Sequence, residues 1–258
     1  MVRKVVVVTG SASGMGLATA TSLASSGAHL ALWDINSSKL KEIAKSFKAQ
    51  YSGKILAQTV DVSDRSAVKA ALIEAQHHLG PINAIANFAG TGGHQLGVEP
   101  IWETSNEEFE FITNLNIRGL FNLNIRGLFN ILGEALTPGF LGELQSIVHI
   151  ASMFGTRGYK NGAVFAASKH AAVGMVKSAA LEVGSRGIRV NCILPGPIDT
   201  PMFHQVRENA GLSSSASDTP IPRPGQPEEV ASIAVFLLGD QSSYVTGAVW
   251  NVDGGANA

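Results

Sequence analysis

Two groups of residues in this chain of 258 have types and spacings that could do chemistry. The first is a hydroxyl and an amine. Ser152 follows an apolar run, Ser146-Ile-Val-His-Ile-Ala151, and Lys169 lies seventeen positions further on in an Ala-rich stretch. The run reads as a buried strand and the Ala-rich stretch as a helix. A hydroxyl at such a strand end can polarise a carbonyl oxygen, and a lysine on the next helix can hold a ribose and lower a neighbouring pKa. Together they are what a hydride-transfer site needs. The second group is Thr9-Gly10-Ser-Ala-Ser13-Gly14-Met15-Gly16, between the β-branched run Lys4–Val8 and an Ala-rich stretch ending near Gly27. Strand, Gly-rich turn and helix in that order let the N–H groups of a helix N-terminus bind a pyrophosphate. Gly10 permits the tight turn, Gly14 lets the backbone approach the phosphates, and Gly16 lets the helix pack closely on the sheet.

Further positions fit a dinucleotide. His29–Asp34 reads as a second strand ending in an acid twenty residues past Gly14. Asp34, with Ile35 beside it, is placed to accept hydrogen bonds from adenosine ribose hydroxyls. A 2′-phosphate there would meet like charge, so the expected cofactor is NAD rather than NADP. The alternative is a strand-end acid capping the helix at Ser37-Ser38. Ile55–Val60 reads as strand three and Ile82–Asn87 as strand four. The small Ala89 and Gly90 leave room for a cofactor. His94 and Gln95 sit in a Gly-containing loop, either as a pocket rim or simply solvated.

On these residues the chain resembles the short-chain dehydrogenase/reductase family. That family shows Ser, then Tyr thirteen residues on, then Lys four further; Ser152 and Lys169 hold this frame, but position 165 is Phe. The resemblance implies that Ser152 bonds the substrate oxygen and that Lys169 binds the nicotinamide ribose. Phe165 stands where the proton-passing tyrosine is expected. Asp61-Val62 resembles the family's adenine-contacting pair, unless Asp61 caps the helix that begins near Ser63 or Asp64. Asn87-Phe88-Ala89-Gly90 departs from Asn-Asn-Ala-Gly at one position. Pro195-Gly196-Pro-Ile198-Asp-Thr200-Pro-Met202 resembles the segment that covers the nicotinamide. Met153, Tyr159 and Met202 are expected at the substrate pocket.

The resemblance spans nearly the whole chain. It implies one α/β domain over residues 1–258: a Rossmann-like, doubly wound parallel sheet of about seven strands with helices on both faces. It also implies an NAD-dependent oxidoreductase acting on a secondary alcohol or ketone, assembled as a dimer or tetramer. Gly97–Glu103 and Leu136–Gly139 look like fungal members working in secondary metabolism. Phe165 leaves three readings open. It is an engineered or natural loss in a dehydrogenase, or it marks a non-redox cyclase, isomerase or dehydratase in the same pocket, or the chain is a catalytically silent cofactor-binding subunit.

The oddest feature is a repeat: Asn114-Leu-Asn-Ile-Arg-Gly-Leu-Phe121 recurs unchanged as Asn122–Phe129. The family has one such segment, with an Asn that helps hold an active-site water, and both Asn116 and Asn124 fit. Eight residues at ~100° each overshoot two turns by about 80°, so a bulge or a helix end must absorb them. Downstream, a helix is expected from Tyr159 to Val183, strand six over Gly187–Leu194, and a mobile substrate lid over Phe203–Pro224. A helix over Pro227–Leu238 and a last strand over Gly247–Val252 complete the pattern.

Net charge is −1 and only 15% of residues are charged, which gives no footprint for nucleic acid. Cys192 is the single cysteine, so a reducing compartment is expected. Met1 leads straight into a strand, and no apolar run nears the ~18 residues of a membrane span. A soluble, cytoplasmic protein with a small-molecule substrate and no metal is expected.

Overall fold

The computed structural model describes residues 1, 3–91, 96, 101, 125–209, 211 and 219–258. The elements are β1 (Val5–Thr9), α1 (Gly14–Ser25), β2 (His29–Asp34), α2 (Ser37–Gln50), β3 (Ile55–Thr59), α3 (Arg65–Leu79) and β4 (Ile82–Asn87). There follow α4 (Gly127–Ala135), β5 (Ser146–Ile150), α5 (Ala163–Val183), β6 (Arg189–Pro195), α6 (Pro201–Asn209), α7 (Pro227–Leu238) and β7 (Val249–Val252). The seven strands form one parallel sheet in the order β3-β2-β1-β4-β5-β6-β7.

A parallel sheet needs cover on both faces, which is why β1 is an unbroken buried run of Val-Val-Val-Val-Thr. Alternate residues feed two cores. Val5, Val7, Ile85, Ile147 and Val190 pack beneath α3, α4 and α5. Val6, Val8, Leu30, Val148 and Ile193 pack beneath α1, α2 and α7. The winding reverses between β1 and β4, so a crevice opens beyond their carboxyl ends at Thr9 and Asn87. Open α/β sheets bind ligands at such a switch point.

Local chemistry sets the boundaries. Asn36, not Asp34, caps α2 by accepting the Lys39 N–H at 3.2 Å. Asp64 caps α3 by accepting from Ser66 and Ala67, whereas Asp61 closes a local turn on the Ser63 N–H at 2.8 Å. The long helix expected from Tyr159 starts only at Ala163. Asn161 is left-handed (φ +58°) and Gly162 precedes the first turn in a non-helical conformation, so the chain cannot enter the helix sooner. The segment read as a lid from Phe203 is helical up to Asn209, because Thr200 Oγ1 accepts the Phe203 N–H and starts α6. The first copy of the octapeptide and the start of the second lie outside the described residues. From Gly127 the second copy continues as α4.

Candidate active site

The Gly-rich turn is dictated by contact. A Cβ on Gly16 would lie 2.1 Å from the Gly10 carbonyl oxygen, so only glycine lets α1 start this close to β1. Gly10 has φ +65°, and a Cβ there would stand 3.0 Å from the Ala89 nitrogen. The turn also faces the 195–202 segment: a Cβ on Gly14 would lie 3.2 Å from Thr200 Cγ2. Ser13 occupies the extended position before α1, and its side chain makes no capping bond there.

Asp34 closes the other side. Its carboxylate accepts the Ala12 N–H at 2.9 Å through Oδ2 and the Asn36 N–H at 2.9 Å through Oδ1. Two backbone donors thus hold the carboxylate beside the glycine turn. A cleft of about 260 Å³ lies between these parts. Of the positions expected to bind cofactor, Gly10, Ser13, Gly14, Met15, Gly16, Asp34, Ile35, Val62, Ala89, Gly90 and Thr200 line it. Met202, expected at the substrate pocket, lines this cleft as well. Trp33, Val60, Phe88, Thr91 and Pro201 also line it; in the sequence Trp33 and Val60 read only as strand residues and Thr91 as a loop residue, while Phe88 and Pro201 lie within the two motifs without a role of their own.

Other expected positions stand behind the cleft wall. Asn87 is buried and accepts the Thr9 hydroxyl at 2.7 Å, while Thr9 Oγ1 accepts the N–H groups of Phe88 and Ala89. The pair therefore fixes the backbone of the lining loop. Pro195 ends β6. Gly196 runs so close to Asp253 that a Cβ would lie 2.7 Å from its Cα, and Ile198 is buried and bridges to Gly225. Asp61 is exposed between the lining residues Val60 and Val62.

Ser152 begins a short turn, Met153–Gly155, and its Oγ accepts the Phe154 N–H at 3.3 Å. That turn rests on α5, where a Cβ on Gly155 would stand 3.1 Å from the Lys169 carbonyl oxygen. Lys169 is buried, 6% exposed, with Nζ 5.4 Å from the Phe165 ring centroid. A cation over an aromatic face is attracted to it. Burial pulls the Lys169 pKa down to about 8. Burial also holds the Cys192 thiol up at about 12, so Cys192 is neutral at pH 7 and is no counter-ion for the lysine.

Phe165 meets Phe154 edge-on at 6.4 Å, and Phe154 stacks on Tyr159 at 4.0 Å with the rings 9° apart. Burial raises the Tyr159 pKa, with Arg207 opposing, so this phenol keeps its proton. The backbone carbonyl of Met153 accepts from Asn257 Nδ2 at 2.9 Å, tying the Ser152 turn to the C-terminal tail. The strand leading to Ser152 also carries His149, fully buried in register between Asn87 and Cys192. Burial first, and the Lys169 charge second, pull its pKa down to about 3, so it is neutral. His94, Gln95, Asn116 and Asn124 lie outside the described residues.

A glycine cradle with no room for Cβ atoms, a fixed carboxylate at the end of β2 and a cleft at the switch point together fit a dinucleotide. The comparisons agree. The family model for "Enoyl-(Acyl carrier protein) reductase" matches residues 10–257. "Short-chain dehydrogenase/reductase aba4" of Botryotinia fuckeliana (strain B05.10) is 37% identical over 257 residues, covering 98% of this chain and 96% of that protein. The crystal structure of levodione reductase superposes with a TM-score of 0.85 at 33% identity, covering 98% of this chain and 97% of that one. A 3-ketoacyl-(acyl-carrier-protein) reductase from Brucella melitensis, crystallised with NADH, gives a TM-score of 0.84 at 26% identity over 99% of this chain and 98% of its own. The chain belongs to the short-chain dehydrogenase/reductase family.

Proposed function

We propose that this chain is an NAD-dependent oxidoreductase that interconverts a ketone and a secondary alcohol, slowed by Phe165. The single observation that carries this reading is the Lys169 ammonium, buried over the Phe165 ring on the helix against which the Ser152 turn rests. From that place it can meet a ribose and a reacting oxygen. When bound, the nicotinamide supplies or takes up the hydride.

The residues of the chain do the rest. The glycine turn offers its N–H groups to the pyrophosphate, and Asp34 accepts from the ribose and repels a 2′-phosphate. Ser152 donates to the substrate oxygen. Lys169 holds the ribose and, with its lowered pKa and its Nζ 5.4 Å from the Phe165 ring, serves as the acid. The Phe154–Tyr159–Phe165 rings, which pack on one another beside Lys169, supply an apolar, aromatic surface for the substrate. Two similar proteins are named as reductases, one of levodione and one of 3-ketoacyl groups, which supports a ketone as the substrate class here. Exposed Leu181 and Tyr244 support assembly as a dimer or tetramer, which light scattering at micromolar concentration checks.

The test is Phe165→Tyr, assayed with NADH against a panel of ketones. General acid–base groups are worth ~10²–10⁴-fold. Restoring the hydroxyl should raise reduction by that order with cofactor affinity unchanged. If no ketone responds while a product forms without nicotinamide turnover, the redox reading is wrong and the pocket does non-redox work.

A further inference from the structure

We propose that Asn130 is a positioning residue for the cofactor: its side-chain amide fixes the Val62–Ser63 backbone, which walls the adenosine end of the cleft. The proposal rests on the reading of that cleft as a dinucleotide site, and it adds a residue that stands outside the cleft lining.

Asn130 lies in the first turn of α4 and is 1% exposed. Its Nδ2 donates to the Val62 carbonyl and to the Ser63 carbonyl, each at 2.9 Å. Carbonyl oxygens only accept, so the amide must turn its NH₂ group to the loop, and both protons are spent there. Val60 and Val62 line the cleft together with Asp34, and the Val60 N–H donates to the Asp34 carbonyl oxygen at 3.1 Å. A base carried on the ribose that Asp34 accepts from therefore lies against this loop. Within the loop the bonds are local: Asp61 accepts the Ser63 N–H at 2.8 Å on its side chain and the Asp64 N–H at 3.1 Å on its carbonyl. Those bonds tie the loop to itself, whereas Asn130 ties it to a neighbouring helix. Without the amide the loop spends less time in the shape that walls the cleft, and apparent affinity falls with that fraction.

The repeated octapeptide makes the register of α4 matter. The sequence holds the Phe-Asn step twice, at Phe121-Asn122 and at Phe129-Asn130, and contacts beside Asn130 select the second. Arg65, the first residue of α3, donates from Nε to Glu134 Oε1 at 2.6 Å and lies over the Phe129 ring at 5.6 Å. A Cβ on Gly133 would stand 3.2 Å from Arg65 Nη2, so glycine gives the guanidinium its passage. A helix slipped by one copy would bring Ile125 and Arg126 to the places of Gly133 and Glu134. The isoleucine would obstruct Arg65 and the arginine would repel it. Arg65 thus holds α4 in the register that sets Asn130 against the loop.

The test is calorimetric titration of the full-length protein with ADP-ribose and with NADH. ADP-ribose carries the adenosine end without the nicotinamide. Asn130→Leu fills the site but has no donor; it should weaken both probes by the same factor, roughly tenfold for the lost hydrogen bonds, at a temperature where urea unfolding shows it folded. Asn130→Ser keeps one donor and should lose only roughly threefold. Wild-type affinity in a folded Asn130→Leu makes Asn130 a packing residue and refutes the proposal. So does a loss for NADH that ADP-ribose does not share. If Asn130→Leu does not fold, Asn130→Ser decides, and wild-type affinity there overturns the positioning role. A wild-type protein that binds neither probe overturns the cofactor reading itself, and the proposal with it.

Discussion

Replacing Lys169 with Met should make the cofactor-free protein more stable, and the gain should vanish at high pH. The reason is the burial of the ammonium. Its pKa falls from 10.5 to about 8, and each pH unit is worth about 1.36 kcal/mol, so the charged form is disfavoured by about 3 kcal/mol on folding. The Phe165 ring, 5.4 Å from Nζ, returns ~0.5–2 kcal/mol of cation–π attraction. Met keeps the apolar stem and removes the charge, so Lys169→Met should gain about 1–3 kcal/mol at pH 7. The sign of the pH dependence follows from linkage. Below about pH 8 the lysine is protonated in both states and the whole penalty stands. Between about 8 and 10.5 the unfolded chain keeps the proton that the folded one has released, so wild-type stability rises with pH. Urea unfolding of both proteins at pH 7 and near pH 10, followed by tryptophan fluorescence, measures the two gaps. A Met variant that is no more stable at pH 7, or a gap that does not shrink with pH, would refute the argument that burial dominates at Lys169.

Two further outcomes follow from the cleft. Thr9→Val removes the acceptor for the part-buried Phe88 and Ala89 N–H groups and the donor to the buried Asn87 oxygen; at ~1 kcal/mol or more for each of these groups left unpaired, it should cost ~3 kcal/mol or more in urea unfolding and weaken cofactor binding through the Ala89–Gly90 loop. A Thr9→Ser variant should keep most of both. Asp34→Asn removes the like charge that a 2′-phosphate would meet, so the NADPH/NADH affinity ratio should rise by about tenfold or more, 1.4 kcal/mol being tenfold; Trp33 lines the cleft and gives a fluorescence signal for the titration. A wild-type protein that binds NADPH as tightly as NADH would sink the assignment of Asp34 to the ribose.

What the chain declares by itself is local. The run Val5–Val8, the glycines at 10, 14 and 16, and the acid that ends His29–Asp34 each combine a residue type with its immediate neighbours, and their meaning survives without knowledge of the fold. The same holds for Ser152, Phe165 and Lys169, whose spacing along a strand, a turn and a helix is a property of the sequence. Boundaries were less legible, because single backbone conformations set them. Asn161 in the left-handed region keeps α5 from starting at Tyr159, and Thr200 turns the head of the expected lid into α6.

Only the tertiary structure decided what lies across the strands. In the sequence His149 is one polar letter in an apolar run, and Asn87 is part of a loop motif. Register places Thr9 beside Asn87 and Asn87 beside His149, although Thr9 and His149 are 140 positions apart. The hydrogen bonds that join these three side chains exist only in that register. Trp33 and Phe88 became cleft walls for the same reason. Side-chain period along a strand is local, whereas the partner that a side chain meets depends on which strands lie together and in what order. That order is set by the burial of both faces of the whole sheet.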